Sequence, residues 1–459
     1  MQEEKKKSLR FTTMQKLALG FFGVIFIGGV MLWLPISNVD GQIAFIDALF
    51  TATSAVCVTG LMTIVAAAQF TIFGKVILLL LIQIGGLGVI ACTTAFFIII
   101  GKKITVRDRV VIQETYNLDT LSGMVSLIIR ILKCTLFFEG VGAVFFAFQF
   151  IPEFGIIRGG VYAIFHAISA FCNAGIDIIG TTSFTQYVKN PIVSITTMAL
   201  IVSGGLGFTV WFDLMRVAKE KKKHQWTLST TIERLMLHSK LVITVTLILI
   251  FGGTAVFMLL EWNNSKTISS FNVFQKFMAC AFQSVTTRTA GFATLPQTSL
   301  KDESIFVSCI LMFIGGSPAG TAGGVKTTTV AMLILTCITV IKGGKDTECF
   351  GRRIPGTNIR SGISIIIVSF TAMVIGTIAM TAIENADFLS VLFETNSALG
   401  TVGLSRDLTP TLSSASKLID MALMYIGRIG PITMALAFGY KKDPTTLLKE
   451  LPTKRIMVG

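Results

Sequence analysis

The stretch SAVCVTGL, residues 54–61, stands between two long apolar runs, LALGFFGVIFIGGVMLWL (17–34) and ILLLLIQIGGLGVIACTTAFFIII (77–100). Both runs are long enough to cross a hydrocarbon core about 30 Å thick, whereas the stretch between them carries hydroxyl groups and a glycine. Irregular backbone is tolerated at membrane depth only where protein buries it or where it lines a water-filled cavity. The stretch therefore predicts a turn of special purpose inside a membrane protein.

The composition supports a polytopic helical protein of the lipid bilayer. Charged residues make up 14% of the 459 residues and the mean hydropathy is +0.75. The first apolar run is too long for a signal peptide, and comparable runs follow it. The eight cysteines form no C-x-x-C pair, and the three histidines lack metal-ligand spacing. We expect no enzyme activity, because no paired-carboxylate or nucleophile motif is present and GGVKTTT (323–329) departs from a phosphate loop.

The net charge of +14 is distributed unevenly along the chain. Lys and Arg cluster in alternate connections, at 3–10, 101–109, 216–224, 342–353 and in the tail after Tyr440. This is the positive-inside pattern, which predicts that both termini and these basic loops are cytoplasmic. The loops are interpreted mainly as topology determinants, although a docking surface is compatible with them. No base-reading or stacking groups accompany them, so we expect no nucleic-acid partner.

The opening stretch recurs four times. SAVCVTG, SAFCNAG, SVTTRTAG and SALGTVG end at glycines that are 115, 116 and 112 residues apart: Gly60, Gly175, Gly291 and Gly403. A Phe precedes the glycine by ten residues in three copies, and the third copy needs a shift of one residue. A glycine pair follows each turn, beginning at Gly85, Gly204, Gly315 and Gly427. Two markers at one period indicate four diverged units, predicted as 1–110, 111–225, 226–350 and 351–459.

Each unit is predicted to contain a long apolar helix, a short segment and a second apolar span. The long helices are expected at 17–34, 124–150, 241–260 and 362–382. The short segment, for example FIDALFTATSAV (45–56), is too short to span a membrane, so we interpret it as a re-entrant half-helix. The result is an all-α polytopic fold with eight spans and four pseudosymmetric helix–re-entrant loop–helix repeats around one central pore.

The four turns are predicted to form the walls of one cation filter. Equivalent turns of four related units most simply converge on one axis, and the half-helices then direct their partly negative C-terminal ends toward it. Carbonyl groups exposed by a glycine turn are ligands for a dehydrated cation. Helix caps or packing kinks are the alternative, which explains a single copy better than four. The predicted filter residues are Val56, Cys57, Val58, Thr59, Gly60, Cys172, Asn173, Ala174, Gly175, Thr287, Arg288, Thr289, Ala290, Gly291, Gly400, Thr401, Val402 and Gly403.

At these residues the sequence resembles the Trk/Ktr/HKT superfamily of potassium transporters, and most closely the membrane subunit of bacterial Ktr potassium uptake systems. The filter strands VCVTG, CNAG, TRTAG and GTVG, the run GGSPAGTAGGVKTTT (315–329) and the Gly427–Arg428 pair carry the resemblance over nearly the whole chain. It implies K+ at the filter carbonyls and potassium uptake stimulated by Na+. It also implies a homodimer in the bacterial plasma membrane and a cytosolic KtrA-type regulatory ring, on which ATP or ADP is expected.

Two other classes of transporter are alternatives to this assignment. A potassium-binding subunit of a P-type pump normally carries additional helices, and an ion-coupled carrier would place ionisable groups in several spans. The filter level holds Arg288 but no carboxylate cluster. A fixed cation on the axis would repel permeating cations, so we expect the Arg288 side chain to point behind the filter, with Glu394 as its candidate partner.

Unit three departs most from the others. Its middle, GGSPAGTAGG (315–324), is predicted to hold neither helix nor strand, because proline lacks a donor and five glycines destabilise a helix. A gate below the filter is the interpretation, and a kinked helix is the alternative. In unit four, Arg428 replaces the second glycine of the pair, either as a functional charge or as a tie between helices. The predicted gate residues are Gly315, Gly316, Ser317, Pro318, Ala319, Gly320, Thr321, Ala322, Gly323, Gly324, Lys326 and Arg428.

Overall fold

The computed structural model describes residues 13–39, 41–100, 123–430 and 433–434. Two basic stretches of the charge argument, 3–10 and 101–109, and the tail after Tyr440 lie outside the described residues. Within the described ranges the chain is nearly all helical. The one sheet in these ranges is a hairpin of Glu348–Cys349 with Arg352–Arg353.

Each repeat begins with a long apolar helix, here called its outer helix. Within the described ranges, these four helices are each long and apolar enough to cross a membrane without a break. Only 28–33% of each apolar window is buried inside the chain, so most of this surface is available to lipid. The outer helices are Thr13–Trp33, Met124–Phe154, Leu237–Glu261 and Gly356–Ile383.

A shorter helix follows in each repeat, here called its pore helix, as the sequence predicts. The helices are 13–17 residues long and their C-terminal halves are buried. Side chains cap two of them at the N-terminus, Asn272 in repeat three and Asp387 in repeat four. The pore helices are Phe45–Cys57, Ile156–Cys172, Val273–Thr286 and Phe388–Gly400.

The second apolar run of each repeat, here called its inner helix, is not a continuous span. Ile72–Leu87 meets the next helix, Val89–Ile99, at 103°, and Pro191–Leu206 meets Phe208–His224 at 94°. The eight predicted spans are therefore not all continuous helices: by length and apolar composition, four single helices in the described ranges could cross a membrane, or six if each bent pair counts as one. The cause is the last glycine of each GGLG motif, because Gly88 and Gly207 adopt φ of +86° and +90°, at which a right-handed helix cannot continue.

The inner helices of repeats three and four end in the same region. Asp302–Phe313 stops at an irregular segment, and the chain resumes as Thr327–Ile341. The prediction that 315–324 holds neither helix nor strand is confirmed, and the kinked-helix alternative is wrong. In repeat four, Ser414–Ile429 ends at Gly430, where φ is +98°. The remaining short helices are Pro35–Ser37, Ala66–Gln69, Thr185–Tyr187, Leu228–Glu233, Gln297–Ser299 and Thr409–Thr411.

Contacts at the first glycine of each pair show that the repeats are equivalent in space. A Cβ atom added to Gly85 would overlap the carbonyl of Val56. The same overlap joins Gly204 to Phe171 and Gly427 to Leu399. Each of these carbonyls belongs to the next-to-last residue of the pore helix in the same repeat. Repeat three is the exception, since Gly315 faces Gly323 of its own irregular segment.

Candidate ion filter and gate

The four glycine turns share one backbone conformation. The residue two positions before each glycine is left-handed, and each glycine also has a positive φ. The left-handed positions hold Val58, Asn173, Thr289 and Thr401, with φ between 52° and 66°. Valine and threonine rarely adopt this region, because their branched side chains clash with the backbone. Such strain persists only where the surrounding structure imposes it, and it is concentrated at functional sites.

A serine in the pore helix holds the turn in repeats one and four. The amide of Thr59 donates to the carbonyl of Ser54 at 2.8 Å, which ends the helix in a Schellman motif. The amide of Gly60 donates to Ser54 Oγ at 2.9 Å. In repeat four, Ser397 makes the same pair of contacts with Val402 and Gly403. The sequence analysis named neither serine, although the Ser-Ala pair common to these copies marks the position.

The four turns converge, as the sequence predicts. An added Cβ on Gly60 would lie 2.6 Å from the carbonyl oxygen of Ala174 in the next repeat. The same relation links the other repeats in order, and the fourth repeat closes onto the first. The remaining pairs are Gly175 with Ala290, Gly291 with Val402, and Gly403 with Thr59. The arrangement is a closed ring, and any side chain at these glycines meets both a neighbouring carbonyl and an unfavourable φ.

All four filter glycines line one cavity of about 410 Å³, here called the vestibule. Its lining contains two acids, Asp177 and Asp407, and no Lys or Arg among the described residues. Burial raises the pKa of Asp177 to about 6, although hydrogen bonds from the amides of Gly180 and Ile179 act in the opposite direction. At neutral pH the vestibule therefore carries negative charge beside the filter, which favours cations.

The irregular segment 314–326, here called the gate loop, is fixed to repeat two by backbone hydrogen bonds. The carbonyl of Ala319 accepts from the amide of Phe208 at 3.0 Å, just beyond the bend at Gly207. On the other side of the bend, the carbonyls of the Gly pair accept from the gate loop: Ser317 donates to Gly205 at 2.9 Å and Thr321 donates to Gly204 at 3.2 Å. Three backbone hydrogen bonds therefore tie the gate loop to this bend.

The gate loop also lies against the ends of two pore helices. Thr321 Oγ1 donates to the carbonyl of Phe171 at 3.0 Å, next to the second filter strand. An added Cβ on Gly323 would overlap the side chain of Thr401 in the fourth strand. The loop lines a second cavity of about 210 Å³, here called the loop cavity, together with Gly86, Lys326 and Arg428.

Arg428 joins the gate loop to repeat one. Its guanidinium donates to the carbonyl of Thr321 in the loop and to the carbonyls of Gly85 and Gly86, the last at 3.2 Å. Lys326 Nζ donates to the carbonyl of Ala322 within the same loop at 2.7 Å. The loop cavity therefore holds two basic side chains, both of which are bonded to the gate loop.

The predicted pairing of Arg288 with Glu394 is wrong. Arg288 is buried and does point behind its strand, where it donates to Thr246 Oγ1 of the outer helix at 3.4 Å. Glu394 accepts hydrogen bonds from Ser405, at 2.7 Å, and from Thr409. These hydroxyl donors belong to the loop that follows the fourth strand. Opposite charge alone suggested the pair, but each residue makes its hydrogen bonds within its own repeat.

Comparison with known proteins agrees with this geometry. The TrkH family, described as cation transport protein, matches residues 8–446. The chain belongs to the TrkH family of cation transport proteins. Among curated relatives of this family, "Ktr system potassium uptake protein B" of Bacillus subtilis (strain 168) is 39% identical over 439 residues, which cover 95% of this chain and 96% of the relative. "Potassium/sodium uptake protein NtpJ" of Enterococcus hirae is 36% identical and covers 99% of both chains.

A solved structure of the TrkH family has the same fold. The potassium transporter TrkH from Vibrio parahaemolyticus superimposes with a TM-score of 0.74 at 17% identity, covering 96% of this chain and 86% of that one. At that identity the likeness concerns the fold alone. Membership of the TrkH family places the chain among membrane transport proteins rather than enzymes.

Proposed function

We propose that this TrkH-family chain takes up K+ across the bacterial plasma membrane, one ion path per chain, with uptake stimulated by Na+. The observation that carries the proposal is the closed ring in which each filter glycine meets the carbonyl of the next repeat. Carbonyl rings replace the hydration shell of K+ in selective pores. The names of the relatives from Bacillus subtilis and Enterococcus hirae, which specify potassium or potassium/sodium uptake, support the same ions.

Selectivity for K+ over Na+ is expected to be modest. The four strands share the glycine, but the residues before it differ: Thr59, Ala174, Ala290 and Val402. The third strand also follows a different turn, because its pore helix ends at Thr286, five residues before Gly291, and its C-cap Thr287 is right-handed. Four unequal strands align fewer complete carbonyl rings than four identical ones. We therefore expect fewer well-formed ion sites than in a symmetric filter.

The gate loop is proposed to close the path beyond the filter. It lies against the second and fourth filter strands, and Arg428 repels a cation entering the loop cavity. Opening requires the loop to leave Arg428 and to move with the bend at Gly207. The helix Phe208–His224 begins at that bend and ends in a basic turn, Lys221 to His224. A force applied to the basic end therefore acts on the gate loop through the amide of Phe208.

A cytosolic KtrA-type ring that binds ATP or ADP is the proposed source of that force. The basic segments 216–224 and 342–353 are proposed to lie on the cytoplasmic side, together with both termini. A homodimer is the proposed membrane unit, in keeping with the predominance of two-fold symmetry among oligomers. The word "system" in the name of the Bacillus subtilis relative supports a multi-subunit assembly.

The test is uptake of K+ into cells that lack their own potassium uptake systems, with and without Na+ and a KtrA-type partner. Wild type is compared with Gly175→Ser in the filter and with Gly140→Ser, whose added side chain would meet no atom within 4 Å. Uptake that is lost in the first variant and kept in the second is the expected result. Equal K+ affinity in all three proteins contradicts the proposal.

A further inference from the structure

Behind the fourth filter strand lies a fully buried acid whose charge the protein does not balance. Asp420 is 0% exposed, and neither carboxylate oxygen has a hydrogen-bond donor among the described residues. Its helix packs against the pore helix that carries Glu394, which is also 0% exposed. Burying an ionised carboxylate without a partner is strongly unfavourable, so each of the two acids requires either a proton or a compensating cation.

Comparison of the repeats shows that the acid is specific to repeat four. The residue seven positions before the first glycine of each pair is Leu78, Thr197, Ser308 or Asp420. All four are fully buried. The two hydroxyls donate to carbonyls one turn earlier in their helix, at 2.7 Å and 2.8 Å. Three repeats thus hold an apolar or satisfied side chain where repeat four holds an unsatisfied carboxylate.

Glu394 is an equally repeat-specific acid. It directly follows the buried pore-helix phenylalanine, a position that the other repeats fill with Thr51, His166 and Gln283. His166 Nε2 accepts from the amide of Ile178 at 3.5 Å, and Gln283 donates to Gln297 at 2.8 Å. These neutral groups, like Glu394 with Ser405, bind the segment that follows their filter strand. Repeat four alone combines two carboxylates at these two positions.

The nearby basic side chains are bonded elsewhere. Lys417, one turn before Asp420, binds Asp47 of the first pore helix at 2.7 Å. Arg406 pairs with Asp302 and Asp387, both at 3.6 Å. No salt bridge to Asp420 or Glu394 exists in the described part of the chain.

The first pore helix, which packs against the helix of Asp420, carries a further buried oxygen without a hydrogen-bond partner among the described residues. The first pore helix and the inner helix of repeat four are in contact through Asp47 and Lys417. One turn further along these two helices come Thr51 and Asp420. The hydroxyl of Thr51, like the carboxylate, is buried and without a partner among the described residues. Oxygen atoms of this kind are ligands for hard cations.

We propose that Asp420 and Glu394 bind one monovalent metal cation behind the fourth filter strand, outside the ion path itself. The single positive charge offsets one of the two buried acids while the other keeps its proton, and the unpartnered oxygens supply ligands for the ion. A divalent ion is disfavoured, because Ca²⁺ takes six to eight oxygen ligands and the described residues contain no group of three or more metal-binding acids, histidines or cysteines. The bound ion stabilises the strand through Glu394, which holds Ser405 two residues after Gly403.

Thallium provides the direct test, because Tl⁺ substitutes for alkali cations and scatters anomalously. Crystals of the purified full-length wild type soaked in Tl⁺ are expected to show an anomalous peak within coordination distance of the Asp420 carboxylate, off the filter axis. Peaks confined to the filter axis exclude an ion of the size of K+ at Asp420, and they overturn the proposal if unfolding also shows no effect of Na+ or Li+. This experiment requires no variant, and it does not depend on transport, so its result is separate from that of the proposed function.

Thermal unfolding with Na+, Li+ or K+ against choline, at constant ionic strength, gives the second test. Wild type and Glu303→Gln, which alters an exposed acid, are expected to gain stability with rising Na+ or Li+. Asp420→Asn is expected to lose most of that gain while keeping the K+ effect of the filter. Identical cation dependence in all three proteins indicates that the two acids share a proton instead, and it contradicts a metal site.

Discussion

Replacing Arg428 by Gln tests the gate most directly. The guanidinium donates to Thr321 in the gate loop and to Gly85 and Gly86 in repeat one, so it joins two elements that separate when the loop moves. The shorter, neutral glutamine side chain cannot span both. Water in the adjoining loop cavity of about 210 Å³ can solvate the carbonyls left behind, so the protein is expected to fold and assemble.

The size of the expected effect on the gate follows from the hydrogen bond between Arg428 and Thr321 of the gate loop. A hydrogen bond from a charged donor contributes about 1.5–3 kcal/mol, and about 1.4 kcal/mol corresponds to a tenfold change in an equilibrium. Loss of the bond to Thr321 therefore shifts the loop from closed to open by about 10- to 150-fold. Glutamine retains some hydrogen bonding, so the lower end of this range is expected.

The assay is initial K+ uptake without the regulatory partner, normalised to the amount of protein in the membrane. Arg428→Gln is expected to raise the rate about tenfold and to reduce the further increase caused by the partner. Arg158→Gln is the matched control, because this arginine is exposed at the start of the second pore helix. If the Arg428 variant assembles normally but transports no faster than wild type without the partner, Arg428 does not hold the gate shut.

Four further predictions concern the filter, the gate loop, the vestibule and the assembly. Gly60→Ser, Gly175→Ser, Gly291→Ser and Gly403→Ser should each raise the KM for K+, by unequal amounts because the strands differ; unchanged KM in all four would refute the role of the ring. Deleting part of 315–324 should raise flux and weaken its dependence on the partner, with the preference for K+ over Na+ retained; a deletion that assembles without faster flux would contradict the gate. The pKa of Asp177 is raised to about 6, so acidification through pH 6 neutralises this vestibule acid and should raise the KM for K+. If Asp177→Asn leaves the pH profile of uptake unaltered, this acid does not cause the pH dependence. Light scattering of the solubilised protein should give twice the chain mass of 49.6 kDa after subtraction of detergent, whereas a monomer that transports would exclude the dimer.

The repeats and the filter were predictable because each is marked twice in the sequence. The terminal glycine and the pore-helix phenylalanine keep one spacing in three copies. In the third copy the phenylalanine lies one residue closer to the glycine, and the pore helix ends earlier, at Thr286. The bends were missed for a physical reason. Hydrophobicity continues across Gly88 and Gly207, and a glycine among apolar residues is compatible with both close helix packing and a break. Its φ, which decides between them, is set by tertiary contacts.

The contacts of the gate loop were beyond sequence reasoning for a different reason. Its attachments to repeat two are backbone hydrogen bonds at Ser317, Ala319 and Thr321, and such bonds place no demand on side-chain type. The role of Arg428 was accessible, because a charge inside an apolar run requires acceptors, but the sequence did not identify Gly85 and Gly86 as those acceptors. The Arg288 error has the same origin, since opposite charges do not specify which residues are adjacent.

The closure of the ring between its fourth and first members sets an order for biogenesis. Gly403 packs against Thr59, two residues separated by most of the chain, so this contact forms only after the ribosome has completed nearly all of the protein. Until then the first three quarters enter the bilayer with one side of the ring unsealed, and the polar backbone around Gly60 lacks its last neighbour. Contacts of such long sequence separation form late and slowly. A nascent chain that stalls before residue 403 therefore lacks the contact that closes the ring.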